Sequence, residues 1–189
     1  MGHPVQEVKV DSQFRLDLEG MLAVVRGAGL VFVNNPNNPT ATVHGQKTIA
    51  DFVERVRRIS PDTVILIDEA YHEYVTDPEY QTAIPLALST PNVFVARTFS
   101  KAYGLAGLRV GYAVAHEPLA EALRKAAIPF GVNALAQVAA VASLTASDEL
   151  EVRVKELVAE RERVLESLAE QGWELSDSQA NFVWFGLGE

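Results

Sequence analysis

Val64-Ile65-Leu66-Ile67-Asp68-Glu69-Ala70-Tyr71 sets four consecutive aliphatic residues directly before two acids. A short apolar run bounded by polar residues is what a strand buried in a parallel sheet requires. Two further runs have the same form, Leu30–Val33 and Val93–Thr98, and Arg109–Ala115 and Val5–Val10 are weaker candidates. Between them, Leu16–Val25 and Thr48–Ile59 carry apolar residues at helical spacing, with Ile49, Phe52, Val53 and Val56 on one face. Strands alternating with helices predict an α/β fold, a mostly parallel sheet with helices covering both faces.

Beyond Pro118 the texture changes. Leu119–Ala127 and Ala134–Leu144 read as helices, the second Ala-rich enough to be closely packed on most sides, and Pro129 and Gly131 separate them. A long helix is expected from an N-cap at Ser147 to about Gln171, ending at Gly172. Leu150, Val154, Leu157, Val164, Leu165 and Leu168 form its apolar stripe. The domain boundary is expected there, with residues 1–146 as a larger core and 147–189 as the start of a smaller α+β domain. Asn181–Phe185 reads as a strand, with Phe182 and Trp184 in the core of that second domain.

The chain has 189 residues, 48% of them hydrophobic and 22% charged, which suits a globular domain rather than a disordered segment. Sixteen basic against 25 acidic residues give a formal charge of −9, which argues against nucleic acid or an anionic membrane as partner. Zero cysteines exclude disulfides and thiolate metal sites, and no metal site is expected. No apolar run approaches a membrane span and the start lacks a signal-peptide profile, so a cytoplasmic location is expected.

Three segments gather polar residues where predicted strands end, the edge at which open α/β sheets bind ligands. They are Asn34-Asn35-Pro36-Asn37-Asn38-Pro39-Thr40, Asp68-Glu69-Ala70-Tyr71, and Thr98-Phe99-Ser100-Lys101 with Arg109 further on. Taken singly, each has a plain reading: a polar turn, a helix N-cap, and a generic anion site or solvated loop. Arg55, Arg57 and Arg58 read as a solvated helix face, and His44 and His72 as structural histidines.

Taken together, the three segments resemble the fold-type I pyridoxal-phosphate enzymes, in particular class I/II aminotransferases. The resemblance rests on Asn38-Pro39-Thr40, Asp68-Glu69-Ala70-Tyr71, and the run Ser100-Lys101-Ala102-Tyr103-Gly104-Leu105-Ala106-Gly107-Leu108-Arg109-Val110-Gly111-Tyr112. Pro129-Phe130-Gly131-Val132-Asn133 and Ser178-Gln179-Ala180-Asn181-Phe182-Val183-Trp184 are similar to the histidinol-phosphate and aromatic amino acid aminotransferase branch.

The resemblance implies pyridoxal 5'-phosphate as cofactor, with Lys101 forming the Schiff base and carrying the substrate proton. Both tasks need a deprotonated amine, which burial and neighbouring positive charge favour. It further implies that Asp68 keeps the ring nitrogen protonated and that Tyr71 and Asn38 bond the phenolic oxygen. Ala70 would pack on the ring, while Arg109, Ser100 and Thr98 bind the phosphate. Substrates would be an amino acid and a 2-oxo acid, and the enzyme a homodimer or otherwise self-associated.

The family's glycine-rich phosphate segment, stacking aromatic, partner tyrosine and substrate-binding arginine have no counterpart here. The resemblance therefore covers about half of a complete enzyme, and a truncated or cut-down form is expected. A cofactor-binding module without transamination, or another fold-type I reaction such as decarboxylation, stays open. Ala41 stands where the family usually has Gly, which predicts a turn without positive φ there.

Overall fold

A computed structural model describes residues 4–186. Four strands, β1 (Leu30–Asn34), β2 (Val64–Asp68), β3 (Val93–Thr98) and β4 (Gly111–Ala115), form one sheet in the order β1-β2-β3-β4. The first three are parallel and β4 runs antiparallel to β3. A Cβ on Gly111 would lie 2.6 Å from the Arg97 carbonyl oxygen, so only glycine fits where β4 meets β3.

Three helices, α1 (Leu18–Val24), α2 (Gln46–Ile59) and α3 (Ile84–Ser89), pack on one face of the sheet. Their contacts are the odd-numbered residues of the strands, Val31, Val33, Ile65, Ile67, Val93 and Val95, with Phe52, Val53 and Val56 from α2. The mostly parallel sheet flanked by helices is as expected, while on the face opposite α1, α2 and α3 Leu30 and Phe32 are 53% and 47% exposed.

The later helices are α4 (Glu117–Ala126), α5 (Ala134–Thr145) and α6 (Ser147–Glu170). The N-cap of α6 is Ala146, not Ser147, which begins the helix instead. Gly172 at φ +83° ends the segment in the left-handed region, as expected of a glycine there. The dense packing expected around α5 is also corrected: Ala136 alone is buried, and Leu135, Val138, Val141 and Leu144 face solvent. Ala-richness makes the helix without supplying it a neighbour.

Among the described residues two expected strands are not formed. Val5–Val10 pairs only through one bridge, Val10 with Leu16. Asn181–Phe185 makes one bridge, Leu175 with Phe185, and otherwise packs back on the first part of the chain. Trp184 lies 4.6 Å from Phe14, centroid to centroid, and Phe182 lies edge-on to Tyr71 at 5.2 Å.

Arg161 of α6, only 4% exposed, fastens this return. Its guanidinium donates to the carbonyls of Tyr74 (2.9 Å) and Ala180 (3.3 Å) and to the Thr76 hydroxyl (3.2 Å). Gln179 adds a second fastening, since its Oε1 accepts from the backbone N–H groups of Thr76 (2.8 Å) and Asp77 (3.1 Å). Among the described residues no helix is long and apolar enough to cross a membrane.

Phe52 sits at the centre of the helix-covered face and is 2% exposed. Phe52→Ala should lower unfolding free energy by about 3–5 kcal/mol in denaturant titration, through lost transfer energy and the cavity left behind. A loss below 1 kcal/mol would contradict this placement of α2.

Candidate functional site

β1, β2 and β3 end side by side, with Asn34 beside Asp68 and Asp68 beside Ala96. The chain leaving β1 is tied into a tight loop before it reaches α2. Asn37 Nδ2 donates to Thr40 Oγ1 (2.7 Å), the Thr40 and Thr42 hydroxyls are 3.1 Å apart, and the Ala41 N–H donates to the Asn37 carbonyl (2.8 Å). Contrary to expectation, Ala41 has φ +61°. The hydrogen bond to Asn37 and that from the Gln179 N–H to the Ala41 carbonyl (2.8 Å) hold it there, offsetting a cost of about 1–2 kcal/mol.

This loop delivers Asn38 to Tyr71, and Asn38 Nδ2 donates to the Tyr71 hydroxyl at 2.9 Å. Tyr71 is buried with Ala41, Tyr74, Ala102 and Ala180, with Ala70 and Phe182 packed against that cluster. Lys101 Nζ stands over the Tyr71 ring, 5.0 Å from its centroid.

Asp68 is the last residue of β2, and its Oδ1 accepts the Ala70 N–H at 3.0 Å. Burial pushes the Asp68 carboxyl above its ordinary range, against the pull of the Ala70 hydrogen bond and the Lys101 charge. Lys101 is thus near enough to act on Asp68 while resting on Tyr71.

The turn after β3 forms a third group. Thr98 Oγ1 accepts the Ser100 N–H (3.0 Å), and the Leu105 N–H closes the loop onto the Phe99 carbonyl (2.9 Å). Arg109 follows a single 3₁₀ turn, Ala106–Leu108, and takes the left-handed conformation at φ +55°. Its Nη1 donates to the Ala106 carbonyl (2.8 Å) and reaches the Ser100 hydroxyl at 3.4 Å. Hydroxyls and a guanidinium thereby converge at the end of β3.

All eight residues singled out in the sequence, Asn38, Asp68, Ala70, Tyr71, Thr98, Ser100, Lys101 and Arg109, lie along one edge of the sheet. The donor set is an amine, a carboxylate, a phenol with its amide partner, and two hydroxyls with a guanidinium. It fits an aldehyde, a ring nitrogen, a phenolic oxygen and a phosphate, the polar groups of pyridoxal phosphate.

The sequence profile described as aminotransferase class I and II matches residues 1–189. This chain is a member of the class I and II aminotransferase family. It is 56% identical over 174 residues to an aromatic amino acid aminotransferase of Streptomyces avermitilis, covering 92% of this chain and 48% of that protein. The similarity to the aromatic amino acid aminotransferase of Mycobacterium avium is 53% over 173 residues, covering 91% and 48%. Among solved structures, histidinol-phosphate aminotransferase from Sinorhizobium meliloti in complex with pyridoxal-5'-phosphate superposes with a TM-score of 0.86 at 34% identity. That superposition covers 96% of this chain and 49% of the other. The chain spans about half the length of the curated relatives it matches.

Several residues that brace this edge of the sheet were given no role in the sequence reading. Glu69, 1% exposed, pairs with Arg97 at 2.7 Å behind Asp68, and the signal for it was an arginine inside an otherwise apolar strand. Gln179 and Arg161 act across long sequence distances and left no local signal. Two of the histidines are held by hydrogen bonds away from the site residues: the His44 ring meets the Leu16 carbonyl (2.9 Å), and the His72 ring meets the Tyr80 hydroxyl (3.0 Å).

Burial, helped by the Arg97 charge, holds His72 below its ordinary 6.5. The unfolded chain therefore binds a proton at His72 before the folded chain does, so this contribution to stability is present above pH 6.5 and lost as pH falls below it. In urea titrations between pH 7 and pH 5, His72→Gln should show a shallower loss of stability than the parent. Equal slopes would exclude this role.

Proposed function

We propose that this chain carries the cofactor half of a pyridoxal-phosphate-dependent aminotransferase, acting between an amino acid and a 2-oxo acid. The single observation that carries the reading is the convergence of Lys101, Asp68 and the Asn38–Tyr71 pair on one sheet edge in a member of this family. The names of its relatives support an aromatic amino acid or histidinol phosphate as amino donor.

Bound pyridoxal phosphate supplies an aldehyde that captures amines and a protonated ring that accepts the electron pair left at a deprotonated α-carbon. Lys101 would be the attachment point, and its amine would hold and move the proton of the substrate α-carbon. Asp68 would keep the ring nitrogen protonated through a charge-assisted hydrogen bond, strengthened by the low local dielectric. Asn38 and Tyr71 would hold the phenolic oxygen, and Ala70 would leave room for the ring. Thr98, Ser100 and Arg109 would bind the phosphate, the planar guanidinium offering two parallel donors.

The whole enzyme is read as a self-associating, cytoplasmic protein. The solvent-facing apolar residues Leu135, Val138, Val141 and Leu144 of α5 support self-association. Light scattering should give a mass above that of one chain, and a monodisperse monomer would count against it.

Incubation with pyridoxal phosphate should give a visible absorption band that borohydride fixes to Lys101, located by peptide mass mapping. Lys101→Ala should abolish both signals, and retention of the same band in that variant sinks the reading. In full-length protein Asp68→Asn should lower turnover by about 10²-fold or more with little loss of thermal stability. An amino donor and a keto acid that yield no new amino acid with the full-length protein, although the band forms, would overturn the transamination part of the reading and leave the cofactor site standing.

A further inference from the structure

Behind the candidate site lies a charged layer that the proposed chemistry does not use. Glu69 directly follows Asp68 and Arg97 directly precedes Thr98, on neighbouring strands. Side chains alternate along a strand, so Glu69 continues the buried series Ile65, Ile67 and Arg97 the series Val93, Val95, while Asp68 belongs to the half-open face. The ion pair therefore closes the end of the helix-packed core, one residue away from the site on each strand.

Its geometry leaves little freedom. Glu69 Oε2 accepts from Arg97 Nε (3.0 Å) and Nη2 (2.7 Å) and from the Thr82 hydroxyl (2.8 Å), while Oε1 accepts the Ala83 N–H at the start of α3 (2.6 Å). Arg97 Nη2 also donates to Thr82 (2.8 Å), and the Glu69 N–H donates to the Ala96 carbonyl (2.9 Å). The Glu69 carboxylate, 1% exposed, thus has four donors and one rigid cationic partner.

We infer that Glu69 and Arg97 are a positioning pair, setting the spacing between Asp68 and the Thr98–Lys101 turn and keeping the layer behind Asp68 electrically neutral. The spectroscopic part of this inference rests on the cofactor reading above. Other groups around the pair are His72, with Nδ1 3.9 Å from Glu69 Oε2, then Glu73, Tyr80 and, from β4, Tyr112. Burial favours the neutral form of His72 and raises Glu73 and Tyr80 above their ordinary values. Arg97 is then the main balance for the Glu69 charge.

Losing one partner strands the other as an uncompensated buried charge. In Arg97→Gln the bare Glu69 carboxylate favours protonation of nearby groups, Asp68 among them. In Glu69→Gln the bare Arg97 disfavours it. A purely structural pair gives no such opposition of sign.

The test uses full-length protein loaded with pyridoxal phosphate, in the variants Glu69→Gln, Arg97→Gln, the double variant and Arg97→Lys. The pH midpoint of the visible band should rise in Arg97→Gln and fall in Glu69→Gln, each by about half a unit or more, and return towards the parent in the double variant. Hydrogen exchange of the cofactor-free protein is the second readout. Arg97→Lys keeps the charge but loses the fork, so it should hold the midpoint while exchange accelerates several-fold at residues 66–71 and 97–101 and not in α6.

Midpoints that stay put, or move the same way in both single variants, overturn the neutrality part. Unchanged exchange at those two segments in Arg97→Lys overturns the positioning part, also if the other variants fail to fold. Absence of the band in the parent defeats the proposed function instead, and the exchange comparison still decides the positioning role.

Discussion

The parallel register of β1, β2 and β3 decides on which face every site residue stands. Leu30 pairs with Val64 and Ile65 with Val93, and this alignment gathers Val31, Val33, Ile65, Ile67, Val93 and Val95 under the helices. A slip of one residue in any strand would send its buried set to the open face, and in β2 it would turn Asp68 into the core. The apolar contacts of α1, α2 and α3 therefore do more than stabilise the sheet. They fix, at its C-terminal edge, that an aspartate faces the open side while a glutamate faces the packed side and needs Arg97 to be tolerated there.

The short, strongly apolar segments were readable in advance because their pattern is local. β2 and β3 fall on the expected residues, and α2 starts only two residues earlier than its periodicity indicates. Three polar segments at strand ends marked the edge, and the resemblance to the family singled out the eight residues within and after them; their proximity follows from strand order and length. What the segments did not carry was how the site is braced. Glu69 and Arg97 are 28 residues apart and meet only once β2 and β3 pair.

Other differences come from the same source. Alternation in Val5–Val10 and Asn181–Phe185 speaks for extended backbone, but a strand exists only where a neighbour accepts its hydrogen bonds, and each segment finds one bridge. Alanine content in α5 speaks for helix and is silent on what covers it. Ala41 takes a conformation its residue type disfavours because partners at Asn37 and Gln179 hold both ends of its peptide unit. In each case a contact from a distant part of the chain outweighs the local preference.

Gln179 joins two loops that the chain completes long before it, bonding Ala41 through its backbone and Thr76 and Asp77 through its side chain. The separation of 103 residues from Thr76 gives the molecule a clock. At a synthesis rate of about 5–20 residues per second, the Thr76 loop waits roughly 5–20 s, and the Ala41 loop longer, before their fastener is even made. During that interval the sheet can form from local pairings, while the Asn38–Tyr71 corner lacks the residue that closes it from behind. Order of synthesis thus makes the scaffold early and the binding corner late, and a ligand met on the ribosome would find the strands ready before the pocket.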